Sequence, residues 1–286
     1  FAGKEGKYIT SRNLHDRLQK ELKTNIALKV KNTKDPDKFI VSGRGELHLS
    51  ILVENLRREG YELALSSPDV VYKLIDGKKH EPYEELTLDI EEKYQGNIIE
   101  KLNERKGQLT NLSPLENSKL RLTYLIPARG LIGFRSEFLT LTSGTGNLYS
   151  LFKGYKSVVK NLNRKRKNGA LVSMNKGKTI TYALYNLQER GKLLLSSGID
   201  VYEGMIIGFN SKENDLVVNP LKGKQLTNFR SSGSDEATIL VTPIKLTLEK
   251  AIEVINEDEL IEVTPNSIRL RKKYLKEHER KKMNKG

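Results

Sequence analysis

The chain has 286 residues, 30% charged and 37% hydrophobic, with a formal charge of +14. At roughly 150 residues per domain, this length predicts two domains or three small ones, with enough apolar material for packed cores. Without cysteine there are no disulfides or thiolate metal sites, no apolar run approaches the ~20 residues that span a bilayer, and the cationic excess points to a polyanionic partner.

The sequence begins Phe1-Ala2-Gly3-Lys4 rather than with Met and soon becomes helical. A fragment is therefore expected, its first strand upstream of Phe1. Thr10 or Ser11 can cap the first helix, and Leu14, Leu18 and Leu22 mark its apolar stripe. Ile26, Leu28 and Val30 alternate with polar residues as in a half-buried strand, Lys34 to Asp37 form a turn, and Phe39 and Val41 resume the alternation. A helix is predicted over 46–59, because Leu49, Leu52, Val53 and Leu56 fall at i, i+3, i+4 and i+7 and Gly60 can end it. Tyr61, Leu63 and Leu65 give another strand. With one upstream strand the order becomes βαββαβ, the ferredoxin-like unit.

The pattern recurs. Leu86, Leu88 and Ile90 form a strand, Ile98 and Leu102 a helix closed by Gly107, and strands follow near 108–112 and 120–126. A short helix near 130–138 and a strand near 147–153 complete a second unit. From 154 onward the rhythm is short strands between Gly and Asn turns, among them Ile180 to Leu184, Met205 to Phe209 and Leu216 to Val218. Thr247 caps a helix carrying Leu248, Ala251, Ile252 and Ile255, and a basic helix or frayed tail follows Tyr274. The expected class is α+β. It has ferredoxin-like domains at 1–79 and 80–153 and a mostly β C-terminal domain with one or two helices at 154–286.

The charge is unevenly placed. Residues 153–168 carry seven basic groups and no acidic one, and residues 269–286 carry nine against two, so each segment is net +7 and together they hold the whole excess. Such runs are phosphate-binding surfaces or plain solvated stretches. Gly177-Lys178-Thr179 lacks the upstream Gly of a phosphate-binding loop, since Val172 stands there, and Gly144-Thr145-Gly146 lacks the third Gly of a dinucleotide loop. No nucleotide site and no catalytic constellation is visible. His48 on the 46–59 helix reads as structural or surface, and Asp89 and Glu91 as a solvated strand face.

Three segments read as recognition surfaces. Gly43 to Leu49 links a strand to a helix and offers Arg44 at the helix start. Pro127 to Phe138 does the same with Arg129 and Arg135. The loop from Asn219 to Glu236 carries Lys222, Lys224, Gln225, Asn228, Phe229 and Arg230, basic groups with an aromatic that suit phosphate contact and base stacking. Arg164, Lys165, Arg166 and Lys167 in one basic cluster, and Arg269, Arg271, Lys272 and Lys273 in the other, are further candidate phosphate contacts.

At these residues the sequence resembles the C-terminal part of the TypA/BipA family of translational GTPases. Gly43 to Leu52 (GRGELHLSIL) resembles the third-domain signature shared with elongation factor G. Pro127 to Gly146 (PARGLIGFRSEFLTLTSGTG), Val201 to Gly208 (VYEGMIIG), Gly223 to Arg230 (GKQLTNFR) and Leu260 to Lys272 (LIEVTPNSIRLRK) are similar to the TypA/BipA family itself. Gln225 departs from the family's usual Lys, which weakens one phosphate contact. The resemblance implies domains III and V and a family-specific C-terminal domain. It also implies a ribosome-bound, monomeric factor that contacts large-subunit RNA and A-site tRNA, without a membrane role. Large-subunit assembly, translation under stress and cold, and virulence regulation are the implied processes. The implied location is the cytoplasm, or an organellar stroma or matrix for a eukaryotic source. GTP and Mg belong to the family's N-terminal domain, so no cofactor and no enzymatic activity are expected of this chain. The alternative is a freestanding RNA-binding or RNA-chaperone protein without a GTPase.

Overall fold

The computed structural model describes residues 3–162, 166–223 and 239–283. The first unit runs α1 (Ser11–Thr24), β1 (Lys29–Asn32), β2 (Phe39–Ser42), α2 (Glu46–Arg58) and β3 (Leu63–Ser66), in the predicted order. The Thr10 hydroxyl caps α1 by accepting from the Asn13 N–H at 3.2 Å. Leu18, Leu28, Leu52, Leu56 and Tyr61 form the core between the helices and the β1–β2 hairpin. Gly60, at φ +95°, closes α2 through its N–H to the Arg57 carbonyl, and Tyr61 N–H reaches the Leu56 carbonyl. The far partner of β3 is the unexpected feature. It pairs not with β1 or β2 but with a strand near residue 260.

The start of this unit is tied down by one carboxylate. Glu62 accepts from the backbone N–H of Gly3, Glu5 and Gly6 at 2.6, 2.9 and 2.5 Å. Burial opposes its charge, but these three donors hold its pKa below the ordinary 4.5. Arg17 does the same for Glu59 through paired bonds of 2.6 and 2.7 Å. Because the folded pKa lies below the unfolded one, the unfolded chain binds more protons in acid. The contribution is therefore full above about pH 4.5 and is lost as pH falls through the folded value. A Glu62→Gln variant is expected to show a flatter loss of thermal stability than the parent between about pH 5 and pH 3. Parallel melting curves for the two proteins would refute this role.

The second unit runs β4 (Lys73–Ile75), β5 (Lys78–Glu91), α3 (Gln95–Glu104), β6 (Gln108–Leu115), β7 (Lys119–Pro127), α4 (Ala128–Leu131), α5 (Phe134–Leu141) and β8 (Asn147–Ser157). β8, β5, β7 and β6 lie side by side, all antiparallel, which is the ferredoxin-like strand order. β4 adds a hairpin through Asp76-Gly77, both at positive φ, as this two-residue turn demands. Leu86, Leu88, Ile98, Leu102, Leu122, Tyr124, Ile126, Phe134 and Phe138 are sealed in the core. On the opposite face Asp89 is bonded twice to its cross-strand neighbour Arg121, at 2.7 Å each. The helix predicted over 130–138 is two helices, because Ile132 is extended and Gly133 is left-handed at φ +74°.

The rest runs β9 (Ala170–Ser173), β10 (Gly177–Lys178), α6 (Thr181–Gln188), β11 (Gly191–Leu193), β12 (Asp200–Val201), β13 (Met205–Asn210), β14 (Leu216–Val218), α7 (Leu248–Val254), β15 (Glu259–Val263), β16 (Ile268–Lys272) and α8 (Glu277–Met283). The main sheet has the order β14-β9-β13-β16-β15-β3, with β11 also on β13. It is mostly antiparallel, with β14 parallel to β9. α7, capped by Thr247 as predicted, packs Leu248, Ala251 and Ile252 on this sheet. The strand expected over 180–184 is instead the helix α6. Ala183, Leu184 and Leu187 are its buried residues, a spacing that only a helix places on one face. Tertiary burial here overrides the β preference of a Thr-Ile-Thr-Tyr run.

Candidate nucleic-acid interface

The two basic segments, some hundred residues apart, meet at one carboxylate. Glu259, fully buried at the start of β15, takes Arg166 at 2.9 Å and Lys272 at 3.1 Å. Arg166 is held further by the carbonyls of Asn168 and Val254, and its guanidinium lies 4.6 Å from the Phe209 ring centre. Asp215 and Asp258 approach the Lys272 ammonium at 2.6 and 2.7 Å. Burial works against the charge of Lys272, yet these carboxylates hold its pKa above the ordinary lysine value. Arg269 is paired with Glu5, and Arg271 lies 2.9 Å from Glu262. Arg166, Arg269, Arg271 and Lys272, read from the sequence as phosphate contacts, are thus bound into the protein. Their neighbours Lys167 and Lys273 are exposed; Lys167 comes no nearer than 3.8 Å to Glu104.

Upstream, Arg129 fixes the exit of β8. It donates to the buried Glu81 at 2.9 and 3.1 Å and to the Val159 carbonyl at 2.9 Å. Glu81 also accepts the Val159 N–H at 2.7 Å. The basic stretch is therefore anchored at residue 159 and again at residue 166. Arg164 and Lys165 between these anchors lie outside the described residues.

The loop predicted over 219–236 is described only at its ends. Asn219 turns the chain by accepting the Leu221 N–H at 2.9 Å, and the Pro220 carbonyl accepts from Ile180 N–H at 3.0 Å. On the far side, Gln188 donates to the Ile239 carbonyl at 3.3 Å and accepts from Val241 N–H at 3.0 Å. Lys222 is exposed. Lys224, Gln225, Asn228, Phe229 and Arg230 lie outside the described residues.

The two glycine-rich motifs meet each other. Glu46, the first residue of α2, accepts the Gly133 N–H at 2.8 Å. A β-carbon on Gly133 would sit 2.9 Å from the Glu253 α-carbon of α7. Arg105 donates to the carbonyls of Gly130 and Ile132 and to Glu137. The helix starts read as phosphate sites therefore build a junction between all three units. Arg44 and Arg135 remain exposed at its margin. His48 accepts the Arg44 N–H and lies 2.8 Å from the Asn25 amide nitrogen, a structural arrangement. Glu81 and Glu259 carried no sequence signal and Glu46 was noted only as part of its motif, since Arg129, Arg166 and Gly133, which they bind, are remote along the chain. Among the described residues no cluster of His, Asp or Glu could hold a metal ion, and no helix is long and apolar enough to cross a membrane.

Three family models match in succession. Elongation Factor G domain III matches residues 9–66, the elongation factor G C-terminus residues 78–166, and the TypA/BipA C-terminal domain residues 168–277. The chain is 58% identical over all 286 residues to the "Large ribosomal subunit assembly factor BipA" of Salmonella typhimurium and to that of Escherichia coli K12. It is 58% identical over 284 residues to the protein of that name from Haemophilus influenzae. The chain spans about half the length of these relatives, 47% of the first two and 46% of the third. The order of the three matches, with identity sustained from one end to the other, shows that the chain belongs to the TypA/BipA family and corresponds to its C-terminal part.

Proposed function

We propose that this chain is the ribosome-binding portion of a TypA/BipA-type translational GTPase that acts in large-subunit assembly. The observation that carries this reading is the 58% identity over the whole chain to proteins named as large-subunit assembly factors. The convergence of two +7 segments on Glu259 supports it, because basic residues gathered on one region focus the field on a phosphate backbone. Ribosomal RNA and A-site tRNA are the proposed ligands of Lys222 to Arg230 and of the exposed cations Lys167, Lys273, Arg44 and Arg135. Arg164 and Lys165 belong to the same proposal. Arg129, Arg166, Arg269, Arg271 and Lys272 instead hold the surface in shape.

GTP and Mg bind in the N-terminal domain of the full-length factor under this reading, so the chain itself is not an enzyme. A monomeric, ribosome-associated cytoplasmic protein with roles in stress translation and virulence regulation completes the proposal. The expected result is co-sedimentation of the chain with purified large ribosomal subunits. Joint neutralisation of Arg164, Lys165 and Lys167 should weaken that binding. It should also lower its log–log salt slope by roughly 0.7–0.9 for each phosphate that is no longer neutralised. Absence of co-sedimentation would overturn the ribosome reading, and an unchanged slope would remove the basic stretch from it.

A further inference from the structure

The helix α6 carries a second feature that its burial pattern does not require. Ala183, Leu184 and Leu187 face the core, while Tyr182 and Tyr185, one turn apart on the other side, are each 39% exposed. Neither ring has a partner among the described ring contacts. The helix also spans the gap between the two anchors of the 219–241 loop. Its start is bonded to Pro220 through Ile180, and its end to Ile239 and Val241 through Gln188. Eight residues of helix separate those anchors, about 12 Å.

Cations flank the aromatics. Lys176 and Lys178 are exposed just before α6, and Lys222 follows Leu221, whose side chain packs over Gly177. None of the three has an ion-pair partner among the described residues. Asp200 is the cross-strand neighbour of Lys178 and Glu189 ends the helix, so the immediate surroundings are net positive. Exposed tyrosines one turn apart, with exposed lysines on the segment that leads into their helix, are residue types that take unpaired bases by stacking and the backbone by charge. A duplex, its bases already stacked, would meet only the cations.

We infer that Tyr182 and Tyr185, with Lys176 and Lys178, form a stacking platform for single-stranded RNA on the helix that Pro220 meets at one end and Ile239 and Val241 at the other. The inference rests on the RNA-binding reading above and names the form of RNA it takes. The experiment measures fluorescence anisotropy of a labelled single-stranded RNA of about 12 nucleotides with the whole chain. Tyr182→Ala and Tyr185→Ala are each expected to weaken binding roughly tenfold with no change in salt slope. Lys178→Ala should lower the slope by about 0.7. Tyr182→Phe and Tyr185→Phe should bind as the parent does, since the ring is kept, and loss of binding in them would overturn the platform. So would parental affinity in the alanine variants, or equal affinity for a duplex of the same length. If the parent binds large subunits but not the oligomer, the platform fails and the ribosome reading stands. If it binds neither, both fail.

Discussion

Glu259→Ala is expected to be the most damaging single change on this surface, costing about 3–5 kcal/mol of stability. The carboxylate is fully buried and serves Arg166 and Lys272 together. Its removal leaves the Arg166 guanidinium, only 9% exposed, facing carbonyl oxygens with no counter-charge. Lys272 keeps Asp215 and Asp258, so the damage falls mainly on the segment that Arg166 fastens. Chemical denaturation followed by circular dichroism reads the change. Because the cluster is buried and paired within the protein, an Arg166→Met, Lys272→Met, Glu259→Leu triple variant should recover much of the stability, as apolar replacements of buried ion pairs often do. A Glu259→Ala protein with the parent's midpoint would show that the carboxylate does not bear on folding.

Gly133→Ala is the second large effect. Two costs combine at this position. The left-handed φ of +74° penalises any β-carbon by roughly 1–2 kcal/mol, and that β-carbon would meet the Glu253 backbone at 2.9 Å. Backbone cannot swing aside as a flexible side chain can, so α7 must move off α5 and the Glu46 bond to the Gly133 N–H must stretch. The expected outcome is a protein whose units separate more easily, read as faster limited proteolysis between them and a melting point lower by several degrees. Gly45→Ala provides the contrast. Gly45 is extended and nothing lies within 4 Å of an added β-carbon. It should be nearly silent, and equal damage from both changes would refute the packing argument.

What could be read from the residues was what local spacing decides. Thr247 announced its cap and Thr10 was one of two candidates for the first, Leu52, Val53 and Leu56 announced their helix face, and Leu86, Leu88 and Ile90 a strand with one side buried. The second ferredoxin-like unit was legible for this reason, its strands being joined to near neighbours. α6 was not, because eight residues with one Thr and two Tyr fit either period until their surroundings are known. Nor was the break at Gly133, which depends on α7 lying against it. The fate of each cation was least legible. Arg166 and Lys167 are adjacent and chemically alike, yet one lies against a buried carboxylate and the other is 84% exposed. That difference is made by Glu259, more than ninety residues away. Sequence clustering marked the basic stretches but could not tell which of their members are paired with carboxylates inside the protein.

The pairing of β3 with β15 bears on how the chain is made. Leu63 and its partner Val263 are 200 residues apart. At about 5–20 residues per second of synthesis, the first leaves the ribosome roughly 10–40 s before the second. Throughout that interval one edge of β3 has open hydrogen-bonding groups, the kind of edge that recruits foreign strands. Nascent chains ending before residue 259 should therefore be the species that aggregates or engages chaperones, and release from that hazard should coincide with the emergence of Glu259–Val263.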